Sequence, residues 1–197
     1  MSKEFWSHTS FSKIFVCMCL MLASWACTVS LDFDAEGCPS IRRVNVVGIE
    51  QIFFSPFMNQ VAASSADTVS SRDFRLNFEL TYQSFQQASL SSWIPGLALA
   101  QVDCEPRFFV ENISNIMVIL DQPFNGFPVG TDIAFLLSNN NDVQLNRLRD
   151  FRDSRQFFSF RFNQNIGDLQ QLNASLVVTL RDGSVLSQPF QSPFLTN

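Results

Sequence analysis

Strict alternation of apolar and polar side chains over residues 74–82 is the feature that most limits how this chain can fold. The apolar members are Phe74, Leu76, Phe78, Leu80 and Tyr82, and the polar members are Arg75, Asn77, Glu79 and Thr81. A period of two places the first set on one face of a β-strand and the second set on the other. The segment therefore predicts a strand with one buried face.

Other segments extend the same pattern. Residues 158–162 and 174–181 alternate in the same way, and Asp182-Gly183 is a turn signal after which residues 185–190 return as the second arm of a hairpin. A shorter strand is expected over residues 97–104. Three runs are apolar on both faces and predict central strands, namely residues 44–54, 116–120 and 133–137.

Helical signals are confined to one place. Asn141 is a candidate N-cap with Gln144 three residues later, as in a capping box, which predicts a helix over residues 142–150. The polar span 59–71 is expected to be a long loop. About seven strands and one short helix, without strand–helix alternation, predict an all-β domain, an antiparallel β-sandwich of immunoglobulin-like type.

An apolar run at the N-terminus stops at Cys27. It covers 13 residues, follows Lys3 and Lys13 and ends on Ala26, which is the layout of a secretory signal. A bilayer-spanning helix needs about 20 apolar residues, so the run is too short for a good anchor. The expected organisation is a signal peptide over 1–26, a lipid site and acidic tether over 27–37, and a single domain over 38–197.

Cleavage before Cys27 leaves the fate of its thiol open. A bacterial lipoprotein signal usually ends Leu-Ala-Gly/Ala-Cys, which Ala26 fits and Ser24 and Trp25 do not. We expect lipid on Cys27, with a plainly secreted chain or an uncleaved signal anchor as alternatives. Thr28 does not resemble the Asp that commonly holds such proteins in the inner membrane. That resemblance favours the outer membrane, on a face that the sequence does not specify.

Two cysteines remain in the mature domain, Cys38 and Cys104. An even number in an oxidising compartment predicts a Cys38–Cys104 disulfide, with two buried free thiols as the alternative. The bond would close a loop of 66 residues, and loop-closure entropy makes this worth about 4 kcal/mol. Two lone cysteines lack Cys-x-x-Cys spacing, so no metal site is expected.

From Cys27 onward the chain has no His and no Lys, and 11 Arg face 17 acidic residues for a net charge of −6. Triad catalysis, His-ligated zinc, Schiff-base chemistry and Walker-type phosphate loops are excluded, because each needs one of the missing side chains. We expect no enzyme activity, no cofactor and no nucleic-acid partner. Carboxylate-based glycoside hydrolysis stays open as an alternative.

Candidate contact residues are few. Arg147, Arg149, Arg152 and Arg155 form the densest charge cluster, which predicts either an anionic or glycan partner or a solvated helix face with local ion pairs. Trp93 is a candidate sugar-stacking residue or a ring packed under a loop.

Two further sets are weaker. Asp67-Thr68-Val69 resembles the sites at which some Gram-negative bacteria attach O-glycans, which makes Thr68 a candidate acceptor. Asp103, Glu105 and Glu111 are candidate carboxylates for catalysis or calcium binding, although carboxylates that share a strand face are commonly plain surface.

The layout as a whole resembles the small, uncharacterised cell-envelope lipoproteins of Gram-negative gut-type bacteria. The matching features are Cys27 after a short apolar leader, Cys38 just before the first strand, and an all-β body. The resemblance implies a sandwich anchored to the membrane through an N-terminal lipid. The expected function is non-catalytic, either binding an envelope protein or contributing to a surface assembly, with a carbohydrate-binding accessory domain as the alternative.

Overall fold

The computed structural model describes residues 41–58, 61–84, 106–167 and 169–197. Within these ranges the chain forms ten β-strands and two short 3-10 helices. The strands are β1 Arg42–Met58, β2 Val61–Ala63, β3 Thr68–Ser70, β4 Arg75–Ser84, β5 Phe108–Val110, β6 Ile113–Leu120, β7 Leu137–Ser138, β8 Phe157–Phe162, β9 Gln170–Leu180 and β10 Val185–Thr196. The 3-10 helices are Ala134–Leu136 and Leu145–Arg147.

The strands form two sheets, which confirms the expected all-β sandwich. One sheet has the order β2-β1-β4-β8-β7, with β5 also pairing β1, and the other has the order β3-β10-β9-β6. Most neighbours are antiparallel, but β5 pairs β1 and β3 pairs β10 in parallel. Six of the described strands, β1, β4, β6, β8, β9 and β10, lie on segments that the pattern predicts, and the other four, β2, β3, β5 and β7, have only two or three residues each. The immunoglobulin-like subtype stays a prediction.

One apolar core lies between the sheets. Phe74 and Phe78 of the alternating segment are fully buried, and the Phe78 ring stacks on Phe158 and Phe160 at centroid distances of 5.1 and 5.9 Å. Phe74 stacks in the same way on Phe162, at 5.3 Å. Offset aromatic stacking adds to the burial of apolar area, so β4 and β8 are joined by side chains as well as by their backbone ladder.

The hairpin predicted at Asp182-Gly183 is present. β9 and β10 pair antiparallel, beginning with Thr179 opposite Val185. Gly183 adopts φ +89°, a conformation that favours glycine. Strands also cover residues 75–82, 158–162, 44–54 and 116–120, as their patterns predict, and Phe74 directly precedes β4. The strand expected over residues 97–104 lies outside the described residues.

The prediction of a helix over residues 142–150 is wrong. Asp142 has φ +59°, and Gln144 is extended and forms a β-bridge with Ser138, so only Leu145–Arg147 make a 3-10 turn. Asn141 does not cap it. Instead Oδ1 of Asn139 accepts the N–H groups of Asn141 and Val143 at 2.9 Å, which folds this segment into a local turn.

Two other expectations are corrected. Residues 133–137 are not a central strand, because Oδ1 of Asp132 accepts the Ala134 N–H at 2.9 Å and the chain turns into a 3-10 helix. The run is apolar because Ile133, Ala134 and Leu136 all enter the core. The span 59–71 is not a plain loop, since it contains β2 and β3.

Candidate functional site

Three phenylalanines form a row on the outer face of the six-stranded sheet. Phe53 of β1 lies 5.9 Å from Phe57 and 6.5 Å from Phe157 of β8, measured between ring centroids. Phe57 and Phe157 are 54% and 47% exposed. Single exposed apolar residues are ordinary, but a contiguous aromatic patch is typical of a binding surface. We call Phe57, Phe53 and Phe157 the aromatic row.

Two features of the strands bring these rings together. Phe53 and Phe57 would lie about 13 Å apart along a straight strand, but β1 shifts register against β2 between Phe54 and Phe57, and such bulges bend a strand. Phe53 and Phe157 belong to strands on either side of β4, about 10 Å apart. Their ring separation of 6.5 Å is shorter than this spacing, so the two rings converge over β4.

Polar side chains of β4 are buried beside this row. Asn77 pairs with Phe53, and Glu79 pairs with Phe157, in the strand register. Both lie on the outward side of β4, yet Asn77 is 4% and Glu79 is 9% exposed. Their cross-strand neighbours are the Phe rings, and two glutamines also contact Glu79. Nδ2 of Asn77 donates to Oγ of Ser55 at 3.1 Å.

The Glu79 carboxylate is held by two side-chain amides. Nε2 of Gln51 donates to its Oε2 at 2.8 Å, and Nε2 of Gln156 donates to its Oε1. Both glutamines are exposed. Their remaining amide groups can donate to and accept from a ligand, while the Phe rings offer apolar contact. The arrangement has the chemistry of a site for polar molecules with apolar faces, in which a few placed polar groups fix orientation.

Tyr82 lies on the same strand, at the margin of the core. Its ring packs 4.7 Å from Phe108, and its O–H donates to the backbone oxygen of Arg155 at 3.2 Å. Burial raises the pKa of this phenol well above its ordinary value, and the negative charge of Glu79 raises it further. The phenol therefore stays a neutral donor at physiological pH.

The arginines singled out from the sequence do not form a helix face. Arg147 ends the second 3-10 helix, while Arg149, Arg152 and Arg155 follow on the segment that leads to β8, and all four are exposed. Arg149 donates to Oδ1 of Asn115 at 3.4 Å, and Arg152 lies 3.9 Å from Asp150. Exposed pairs of this kind contribute little to stability.

The other sequence candidates have separate locations. Thr68 begins β3 and is exposed, while the Asp67 carboxylate beside it accepts from Ser64 N–H and Oγ at 2.7 and 2.8 Å. Glu111 pairs with Arg43 at 3.4 Å. The remaining candidates lie outside the described residues: Cys27, Cys38, Trp93, Asp103, Cys104 and Glu105.

A shallow cleft of about 300 Å³ lies elsewhere, where the loop 121–130 meets the start of β9. Oε1 of Gln170 accepts the Asn125 N–H there at 2.7 Å. In the part of the chain that the structure describes, no helix has the length and apolarity to cross a membrane. No group of three or more His, Cys, Asp or Glu side chains in these same ranges is placed to hold a metal ion.

Comparisons of this chain with protein-family models, with curated proteins and with solved structures each find no significant match.

The aromatic row was not predicted from the sequence, although the sequence contains a signal for outward-facing rings. Phe53-Phe54 and Phe157-Phe158 are consecutive Phe pairs within strands. Neighbouring side chains of a strand point to opposite faces, so one ring of each pair must lie outside the core. Their convergence over β4 depends on strand order, which the pattern does not contain.

Proposed function

We propose that this chain is a non-catalytic binding protein of the bacterial cell envelope. In this proposal it is exported by residues 1–26, anchored by lipid on Cys27 and folded as a β-sandwich that presents the aromatic row to its ligand. The observation that carries the proposal is the row itself, with Phe57 and Phe157 about half exposed beside two exposed glutamines. Aromatic side chains are enriched where proteins bind partners.

Carbohydrate is the ligand class that these side chains favour. A pyranose ring has an apolar C–H face that packs on an aromatic ring, and hydroxyls at its rim that need donors and acceptors. Gln51 and Gln156 supply both kinds of group and are themselves positioned by Glu79. The hydrogen bonds to Glu79 hold each glutamine side chain in one geometry, which reduces the entropy that is lost when a ligand binds.

A binding role also agrees with the chemistry of the mature sequence. It contains no imidazole and no primary side-chain amine that would serve as base or nucleophile. Each oxygen of the Glu79 carboxylate accepts a hydrogen bond from a glutamine, so this carboxylate has a positioning role in the proposal.

The direct test is glycan binding by the purified protein. Envelope and host-type polysaccharides are screened by affinity electrophoresis, and hits are measured by titration calorimetry. We expect Phe157→Ala and Phe57→Ala each to weaken binding about tenfold, the loss of one interface anchor. Phe194→Ala is the matched control, because Phe194 is 37% exposed on the other sheet. Absence of binding, or equal loss in the control, contradicts the carbohydrate assignment.

A separate measurement tests the anchor. The intact mass of the native protein is expected to correspond to a chain that starts at Cys27 and carries acyl groups. A gain of about 2 Da on reduction would report one disulfide, assigned to Cys38 and Cys104. A cleaved chain without acyl groups contradicts the lipid, and an uncleaved chain contradicts export.

A further inference from the structure

The three rings of the aromatic row follow a diagonal across the six-stranded sheet. In strand register Phe53 is paired with Asn77, and Phe157 is paired with Glu79, which lies nearer the N-terminal end of the antiparallel β1. Phe57 lies on the other side of Phe53, toward the C-terminal end of β1. The rings therefore advance in one direction, in steps of 5.9 and 6.5 Å between centroids.

The length of these steps suits a chain of sugars. Each step is comparable to the length that one pyranose unit adds to an extended glycan, so a chain of three units can place one unit on each ring. The two end rings, Phe57 and Phe157, are 54% and 47% exposed, and the half-buried Phe53 lies between them. A single sugar on one end ring leaves the other end ring uncovered.

The rings of the row are not coplanar. The plane of the Phe53 ring is inclined by 48° to that of Phe57 and by 61° to that of Phe157. The flat surface of a crystalline polysaccharide cannot lie on Phe53 and on either neighbour at once. A single glycan chain rotates about its glycosidic bonds and can turn a different face to each ring. The tilts therefore favour a single chain over a crystalline surface.

Two positioned amides lie at the Phe157 end of the row. Gln156 directly precedes Phe157, and Gln51 is on the opposite side of β4, where both amides donate to the same carboxylate. At the other end Phe57 is paired with Ala62 of β2, which has no polar side chain to offer. One end of a bound chain is therefore held by stacking and hydrogen bonds, and the other end mainly by stacking.

The charged side chain that pairs with the row in strand register is Glu79, opposite Phe157. Arg75 and Arg161 on the same outer face each donate a hydrogen bond of 2.8 Å to a residue of the loop 139–142. From Cys27 onward the chain also has a net charge of −6. An acidic sugar would bring its carboxylate toward that of Glu79, and such like-charge contacts weaken binding. A neutral glycan avoids this repulsion.

We propose that the ligand of the aromatic row is a single, neutral glycan chain of at least three sugar units, bound diagonally over β1, β4 and β8. The inference rests on the proposed carbohydrate-binding function and specifies its ligand class. One sugar stacks on Phe157 within reach of both glutamines, the next crosses Phe53, and the third stacks on Phe57. Monosaccharides and crystalline surfaces cover fewer rings, and acidic chains bring a like charge to the site.

Titration calorimetry of the purified protein with oligosaccharides of one to six units tests this length. The neutral probes are the malto-, cello- and N-acetylchito-oligosaccharides, with oligosaccharides cut from any polysaccharide that binds in the glycan screen. We expect affinity to rise about tenfold for each ring that becomes covered and to level off beyond the length of the row. Oligogalacturonides are the acidic probes and should bind about tenfold more weakly. Microcrystalline cellulose and chitin should not deplete the protein from solution.

Two variants locate the ends of the bound chain. Phe57→Ala is expected to remove the gain between two and three units and to leave the affinity for the disaccharide unchanged. Phe157→Ala is expected to weaken binding at every length about tenfold, because every chain uses the glutamine end. Phe194→Ala on the other sheet is the matched control. Circular dichroism confirms that each variant is folded.

The dependence on length and charge can fail while carbohydrate binding holds. Four results would overturn the single neutral chain and leave the proposed function intact. They are equal affinity for one and six units, equal loss of disaccharide and hexasaccharide binding in Phe57→Ala, tighter binding of oligogalacturonides, and capture by a crystalline polysaccharide. Absence of binding to every glycan tested would overturn both proposals.

Discussion

Asn112 makes two hydrogen bonds of 2.8 Å to the backbone of Val46. Its Oδ1 accepts the Val46 N–H, and its Nδ2 donates to the Val46 oxygen. Asn112 lies in the two-residue link between β5 and β6. Its backbone oxygen accepts the Arg181 N–H at 2.7 Å. Because β5 and β6 belong to different sheets, one amide side chain joins the sheets at this corner.

Truncation of Asn112 is expected to destabilise the domain. Val46 is 1% exposed, so Asn112→Ala leaves a buried N–H and a buried C=O without these partners. The expected loss in the free energy of unfolding is about 2 kcal/mol. Asn140→Ala is the matched control, since Oδ1 of the Asn140 amide accepts an exposed hydrogen bond from Arg75. Chemical denaturation measures the free energy of unfolding of both variants. Equal losses would show that the two hydrogen bonds of Asn112 to Val46 stabilise the domain no more than an exposed hydrogen bond does.

The β9–β10 turn gives a second prediction. Gly183 has φ +89°, and a Cβ placed on it would meet no atom within 4 Å. Gly183→Ala therefore tests backbone strain without a steric clash, and we expect a loss of about 1 kcal/mol. At Gly48 the φ is ordinary and a Cβ would lie 3.5 Å from Oγ1 of Thr81. Gly48→Ala should cost less than Gly183→Ala in the same denaturation assay, and the reverse order contradicts the prediction.

The strand pattern predicted most of the sandwich because its period is local and strong. Alternation around Phe74 and Phe78 assigned β4 and its buried face, and the Asp182-Gly183 signal assigned the hairpin. These features need no information about distant residues. Strand order and the two parallel pairs depend on contacts across the chain, which a single sequence does not display.

The failures have the same origin. The capping pattern at Asn141 is a weak local preference, and the bridge from Gln144 to Ser138 together with complete burial of Leu145 overrides it. Residues 133–137 are apolar because a turn is buried, which periodicity cannot distinguish from a buried strand. The aromatic row shows the same limit, since Phe53 and Phe157 meet only after β4 is placed between them.

Acid titration provides a prediction for the hairpin turn. Asp182 accepts from Oγ and N–H of Ser184 at 2.7 and 2.9 Å, and these bonds lower its pKa below the ordinary 3.8, with the hydroxyl as the larger cause. A depressed carboxyl pKa contributes stability above pH 3.8 that disappears as pH falls through the folded-state pKa.

Carboxyl NMR titration of a Ser184→Ala variant checks this. The Asp182 pKa is expected to rise toward its ordinary value. Ser64→Ala is the matched control for Asp67. The Asp67 pKa should rise less in this variant, because the main cause of its lowered value is the hydrogen bond from the Ser64 backbone N–H, which the variant retains. If the Asp182 pKa were unchanged in the Ser184→Ala variant, the Ser184 hydroxyl would not be the cause of the lowered pKa.

Alkaline pH is expected to unfold the domain through Tyr82. Tyr82 is the one tyrosine of the chain, so tyrosinate absorbance reports it alone. Burial and then the Glu79 charge raise its pKa above the ordinary 10.0. The unfolded chain releases the phenol proton first, so the stabilisation is complete below pH 10.0 and is lost as pH rises toward the folded-state pKa. Ionisation should therefore coincide with loss of β-sheet circular dichroism.

Two variants separate the causes of this behaviour. Tyr82→Phe removes the phenol and should flatten the alkaline loss of stability, at the cost of about 1 kcal/mol for the hydrogen bond to the Arg155 oxygen. Glu79→Gln keeps the burial but removes the nearby charge, and should move the titration of Tyr82 downward while leaving it above 10.0. A Tyr82 that ionises near 10.0 in the folded protein would show that its ring is accessible to water, contrary to its packing against Phe108.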